Sequence, residues 1–371
     1  MGIAITFEHE KAHVPTRMTE ALAARVMGWA PPERARGYRN VKIRQLAHAC
    51  LVAAGSDRGV DPRNAEQCIS AALQVSRMAA RSTGVALQGS SDFVNLLANA
   101  LSIMVLPGYA NARPAYRRIA GEVEFDSFRP HQFTRAGDAP APLQVGENAN
   151  YQTGAMSDSK ESVTLATYGR IIGLSRAVLV NDDVGALRDL ALATQRRLID
   201  FEDSLGITML TSGASANGPT LSDGAQLFAT GHGNLAASGA AIDLTTLGAG
   251  IAALAKQASP DGMKLNAFPR YLLTSPDKVV IAAQYLSQLA PAYDAAARIT
   301  PLADANLTGN AWYLVADPAE LPTLIYGYLA GTGPRIEARA GFSFDGVEYK
   351  VGLDFAVGAV GWRGIYKNPG A

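Results

Sequence analysis

Cysteine, histidine and charge are all scarce in this chain. Of its 371 residues two are cysteine, five are histidine and 18% are charged. Cys50 and Cys68 form no C-x-x-C and have no histidine at ligand spacing, so zinc and dithiol redox chemistry are excluded and both read as buried free thiols. His9, His13, His48, His131 and His232 fall on no H-x-x-x-H or H-E-x-x-H spacing, which leaves metal hydrolysis without ligands. Lys+Arg and Asp+Glu cancel at 33 each, so the basic excess of a dedicated nucleic-acid binder is missing. Long apolar runs are absent too. The longest, around Leu96 to Leu106, is broken by Asn99 and Ser102 and is expected to stop at Pro107, short of the ~18 residues of a membrane span. The opening "MGIAITFEHEKAH" meets charge too early for a signal peptide. A chain made in the cytoplasm, with no membrane partner, is the expectation.

Catalytic motifs are equally thin. The stretch "TGHGNLA" places Gly231, Gly233 and Ala236 in a G-x-G-x-x-A pattern, but no hydrophobic strand precedes it and Gly239 breaks any helix after it. A dinucleotide turn is therefore rejected. His232 as a general base lacks a G-x-S-x-G elbow, and no Walker A loop is present. The plain reading of "GHGN" is an irregular loop in which glycines supply positive φ and His232 and Asn234 tie the backbone by side-chain hydrogen bonds. Two carboxylate pairs, Glu202/Asp203 and Asp182/Asp183, read as a solvated helix face and a helix cap. No catalytic, cofactor-binding or metal-binding residue is assigned.

What is present is a mixed pattern of helix and strand. "VKIRQLAHACLVAAG" reads as an amphipathic helix ended by Gly55, and "DPRNAEQCISAALQVSRMAARS" as a second, with Asp61 as N-cap and Pro62 at its first position. "SSDFVNLLANALSIMVLPGYA" gives a helix with Phe93, Leu96, Leu97, Ala100, Leu101 and Met104 on one face, ending at Pro107. Next, "YRRIAGEVEFDSF" and "SVTLATYGRIIGLSRAVLV" read as two long strands on either side of a polar excursion from Arg135 to Lys160. A structureless loop that long argues against a compact domain unless it reaches out to a partner. The strongest helix starts at "NDDV" with Asp182 as N-cap and steps through Val184, Leu187, Ala191, Thr194, Leu198, Phe201, Leu205 and Met209. An α/β patch follows: helix "LTTLGAGIAALAKQ", strand "RYLLTS" and helix "PDKVVIAAQYLSQL" with Pro276 at its start. The C-terminal part is β-rich, and Val347, Tyr349, Val351, Leu353, Phe355 and Val357 alternate before a bend near Gly358.

Three blocks in this order, "SDFVNLLANAL" with "GYANARPAY", then "GAMSDSKESVTLATYGRIIGLSRAVLVNDDVGAL", then "DGAQLFATGHGNLA", resemble the major capsid protein of tailed phages of the Mu-like major head subunit type, often encoded fused to a prohead protease. The resemblance covers roughly residues 90 to 371. It implies an α+β fold of the Hong Kong 97-like capsid type, with an N-terminal arm, an extended β-hairpin loop, a long spine helix, and peripheral and axial domains. Under it, residues 1–88 form a helical, scaffold-like N-terminal region, 89–112 the N-terminal arm, 113–180 the extended loop and strands, 181–239 the spine helix and peripheral domain, 240–335 the axial domain and 336–371 the return to the peripheral domain. The implied function is a head subunit that self-assembles into hexamers and pentamers of an icosahedral shell, the virion capsid, with a portal, a prohead protease and packaged double-stranded DNA as partners. The chain has no room for the protease of the fused relatives. Some relatives crosslink a loop lysine to a peripheral-domain asparagine; Lys160 and Asn368 are nominal counterparts without a supporting local motif, and that chemistry is not carried over. Two other readings stand beside this one: an encapsulin-like nanocompartment shell, and an α/β hydrolase-like enzyme using His232.

Overall fold

A computed structural model describes residues 2–82, 92–136, 158–260, 262–290, 298–341 and 344–371. The chain divides into two compact units that cut across sequence order, and each is described by itself.

The first unit holds Met1–Ala112, Thr167–Ile199 and Thr332–Asp354. Its N-terminal helices are α1 (Gly2–Met27), α2 (Ile43–Ala53), α3 (Ala65–Ser82) and α4 (Phe93–Asn111), with a 3-10 turn at Glu33–Tyr38 inside the segment read as a linker. The apolar stripe of α4 is wider than its sequence face, because Val94, Ala98 and Val105 are buried along with Phe93, Leu97 and Leu101. Pro107 does not end it: the helix runs on to Asn111 and packs against α1. By length and composition α4 could cross a membrane, yet 56% of its apolar window is buried within the protein. The N-cap of α3 is not Asp61. Asn64 takes that place, its side chain accepting the N–H of Gln67 at 3.1 Å. One core joins Leu22, Ile43, Leu46, Ile69 and Leu97 with Leu179, Leu187, Val347 and Tyr349.

The second unit holds Arg113–Ala166, Asp200–Gly331 and Phe355–Ala371. It opens with α5 (Ala115–Ile119), a short helix where a strand was expected, followed by β1 (Gly121–Phe125). Strands β2 (His131–Ala136) and β3 (Asp158–Val163) pair antiparallel, His131 opposite Val163 and Ala136 opposite Asp158. Most of the polar excursion between them lies outside the described residues.

Strand β4 (Ala166–Ser175), helix α6 (Arg176–Val180) and most of the long helix α7 (Val184–Leu210) return to the first unit. The second unit then adds α8 (Leu244–Ala255), β5 (Pro269–Thr274), α9 (Val279–Leu289), β6 (Thr300–Ala303), β7 (Trp312–Ala316) and β8 (Leu324–Leu329). Strands β9 (Arg335–Ala340), β10 (Gly346–Ala359) and β11 (Ile365–Asn368) complete the chain. The helices and strands read in the α/β patch are present, and Asp243 caps α8 by accepting the N–H of Thr246 at 2.8 Å.

In the first unit β10 pairs antiparallel with β9, Val347 opposite Ala340. Further along, β10 pairs with β8 in the second unit, and β8 takes β1 as a parallel neighbour. Gly327 is needed there, since a Cβ at that position would collide with the carbonyl oxygen of Val123. A second sheet runs β11-β7-β5-β6, with Leu247, Leu254, Leu272, Leu286 and Trp312 in the core between it and α8 and α9. The alternation read along β10 does not translate into one wet face. Nearly every residue from Gly346 to Ala356 is buried, Lys350 being the exposed exception.

Candidate functional site

His232 closes a 3-10 turn, Thr230–His232, and Gly233 follows in the left-handed region at φ 66°. The imidazole stacks on the indole of Trp362 with ring centroids 4.1 Å apart and planes within 10°, and the Arg363 guanidinium lies over the same indole at 4.1 Å. Its Nε2 sits 2.7 Å from Oδ2 of Asp223, and its Nδ1 lies 3.3 Å from the carbonyl of Leu227. Both ring nitrogens thus face acceptors, and among the described residues neither meets a hydroxyl or thiol that could serve as a nucleophile. Burial raises the Asp223 carboxyl, but the Ala225 N–H and the imidazole outweigh it and hold that carboxyl below its ordinary range. Asn234 completes the loop from a fully buried position. Its Oδ1 accepts the N–H of Ala229 at 3.1 Å, and its Nδ2 donates to the carbonyl of Leu227 at 2.8 Å. "GHGN" is therefore the tied loop that its residues suggest.

Sequence reasoning missed a buried polar network on α7. Glu202 is fully buried, not part of a solvated face. Its Oε2 accepts from the Tyr116 hydroxyl, from Nη2 of Arg117 at 3.0 Å and from the Tyr328 hydroxyl at 3.1 Å. Burial and the neighbouring Glu202 charge push the Tyr116 phenol far above its usual range, so it stays a donor. Phe355 and Tyr326 pack edge-on against the Tyr116 ring at 5.9 and 5.1 Å. The adjacent Asp203 accepts the N–H of Tyr116 at 3.2 Å. The only sequence signal was the tyrosine-arginine pair at 116–117, whose partner stands 86 positions on.

Asp182 does not cap α7. It adopts φ 53°, and Asp183 is the cap, accepting the N–H of Ala186 at 3.0 Å. The Asp182 carboxylate takes Nη2 of Arg25 at 2.7 Å and the N–H of Ile43 at 2.9 Å. Lys160 is exposed on β3, opposite Thr134. Asn368 is buried, and its Oδ1 accepts the N–H groups of Ala240 and Gly370, each at 2.9 Å. The base of the β2–β3 hairpin is fixed by Glu161, whose carboxylate accepts the N–H and hydroxyl of Ser222 at 3.0 and 2.6 Å. Cys50 and Cys68 are free and buried in the first unit, and burial pushes the Cys50 thiol up to about 12. His48 is half-buried, His131 meets Asp126 at 3.1 Å, and the side chains of His9 and His13 lie outside the described residues. Among the described residues no group of three His, Cys, Asp or Glu could hold a metal ion. Open clefts are found among the described residues of the first unit. One of about 360 Å³ is lined by Glu66, Arg176 and Asp345, and one of about 580 Å³ by Asn95, Ile171 and Lys350.

These networks join side chains to one another and to the backbone across several elements. The phage capsid protein family matches residues 159–368, from β3 through α7 to the end of β11. No curated protein matches the chain. Among solved structures it is similar to the capsid of Ralstonia phage GP4, with 10% identity over 68% of this chain and 87% of that one and a TM-score of 0.48. It is also similar to the procapsid of bacteriophage JBD30, with 17% identity over 73% and 74% and a TM-score of 0.40. A third likeness is the holo-SrpI encapsulin complex from Synechococcus elongatus PCC 7942, at 10% identity over 67% and 84% with a TM-score of 0.44. Because the family match spans more than half of its length, the chain belongs to the phage capsid protein family and is a structural protein of a phage head.

Proposed function

We propose that this chain is the major head subunit of a tailed phage, of the Hong Kong 97-like and Mu-like type, and that copies of it close into an icosahedral shell. The family match over 159–368 carries the reading. Heterologous contacts between identical subunits give rings of five and six, and many weak apolar contacts add through multivalency. A formal net charge of zero keeps densely packed copies from repelling one another and leaves the inner face without a clamp on double-stranded DNA. A portal and a prohead protease are the further partners of this reading. It assigns the chain no catalytic residue, cofactor or metal.

The N-terminal helices belong to the folded subunit in this proposal, because Leu22, Ile43, Leu46 and Ile69 lie in the same core as Leu97, Leu187 and Tyr349. Electron microscopy of the purified chain at assembly concentrations tests the reading: closed shells or rings of five and six are expected. A uniform monomer would overturn it, and small uniform shells filled with a co-purifying protein would favour a nanocompartment instead. A chain lacking residues 2–82 is expected to be insoluble or unfolded. A soluble, folded truncation that merely fails to assemble would return those helices to a scaffolding role.

A further inference from the structure

The formal charge of zero is not evenly spread. The first unit carries twenty Lys+Arg against fifteen Asp+Glu, and the second thirteen against eighteen. Much of the basic excess falls in one stretch of the first unit: residues 33–63 hold seven Lys+Arg, six of them arginine, and three Asp+Glu. The fold keeps that stretch together. The 3-10 turn Glu33–Tyr38 is tied to the residues before α2 by the Val41 N–H, which donates to the Tyr38 carbonyl at 2.8 Å. Arg44, in the first turn of α2, donates from Nη1 to the Pro62 carbonyl at 2.8 Å and so holds the turn before α3 against it.

Little within the stretch neutralises it. Arg34 pairs with Glu20 and Arg36 with Glu33, whereas Arg39, Lys42, Arg58 and Arg63 are exposed and, among the described residues, their side chains form no ion pair. The Asp61 carboxylate is turned to its own loop, accepting the Arg63 N–H at 2.9 Å. Exposed cations of one sign draw an anionic polymer, whose condensed counter-ions they release on contact. Guanidinium groups suit phosphate in particular, because their planar fork can donate two parallel hydrogen bonds to it. A neighbouring copy is the poorer partner, since many carboxylates of the acidic second unit are committed to donors of that unit. Glu161 holds Ser222, Asp243 the Thr246 N–H, Asp304 the Asn306 N–H and Asp317 the Ala319 N–H.

We propose that Arg39, Lys42, Arg58 and Arg63 form a docking surface for the phosphate backbone of double-stranded DNA, engaged without regard to base sequence. The proposal rests on the head-subunit reading, in which the shell encloses the duplex. Neutralising about four phosphates gives a slope of log affinity against log salt of about −4, so the contact of each copy is weak at physiological salt and does not clamp the genome.

Fluorescence anisotropy of a short labelled duplex, titrated with the unassembled full chain, tests the surface. Between about 50 and 200 mM salt the affinity is expected to fall about a hundredfold, and equally for unrelated duplex sequences. The combined variant Arg39→Gln, Lys42→Gln, Arg58→Gln and Arg63→Gln should bind at least about tenfold more weakly at low salt, with an unchanged thermal midpoint. Each single substitution, too mild to unfold the chain, should reduce the salt slope by about one. Absence of duplex binding at about 50 mM salt, wild-type slopes in all four single variants, or polyglutamate bound as tightly as the duplex would overturn the proposal. None of these results bears on the head-subunit reading, which stands or falls on the shells seen by electron microscopy.

Discussion

The hydroxyl of Tyr116 and the guanidinium of Arg117, neighbours in the chain, converge on the same oxygen of Glu202, with Arg117 Nη2 at 3.0 Å. Glu202 has no solvent exposure and the Arg117 side chain only 9%, so this ion pair is held inside the second unit. Two residues at the start of α5 thereby fix that helix onto the end of α7.

Replacing Glu202 by Ala should strand the Arg117 charge and the Tyr116 and Tyr328 hydroxyls without their shared acceptor. Breaking a buried pair costs about 3–5 kcal/mol, and the loss is expected at that scale in chemical denaturation. A change below about 1 kcal/mol would mean that water or another acceptor replaces the carboxylate.

Gly206 stands one turn after Glu202, and a Cβ there would lie 2.7 Å from Cβ of Tyr116. In an open helix Gly→Ala gains about 1 kcal/mol. Here Gly206→Ala should destabilise by about 1–3 kcal/mol, because α5 cannot retreat without pulling Tyr116 from Glu202. A raised denaturation midpoint would show that α5 is not pinned there.

Asp182 links the first helices to the turn between α6 and α7, through Arg25 and the N–H of Ile43. Asp182→Ala removes both contacts and leaves an alanine at φ 53°, so a loss of about 2–4 kcal/mol is expected. Asp182→Asn tolerates the left-handed backbone and keeps an acceptor, and should lose about half as much. Equal losses for the two variants in thermal or urea unfolding would assign the whole effect to charge.

Elements carried by short-range pattern were legible without any structure. Helices α2 and α8, strand β5, and the Pro276 start before α9 follow from apolar spacing, β-formers and local capping. The tied "GHGN" loop was legible for the same reason, since His232 and Asn234 hold the backbone of Leu227 and Ala229, only a few positions back in the chain.

Three of the misreadings share one cause, a partner far away in sequence. Pro107 was taken as a stop, but it costs the helix little so near its end, and burial of α4 against α1 keeps the last turn helical. Asp182 looked like a cap until Arg25, 157 positions earlier, claimed its carboxylate. Glu202 sits at a helix position that nothing local distinguishes from a wet one. Composition and periodicity determined many of the segments that become helix or strand, and the absence of any coherent catalytic motif. Which helix faces are dry, and which carboxylates are enclosed in pairs and networks, was decided only by tertiary structure. Burial depends on what covers a face, and the covering residues lie beyond the reach of any local pattern.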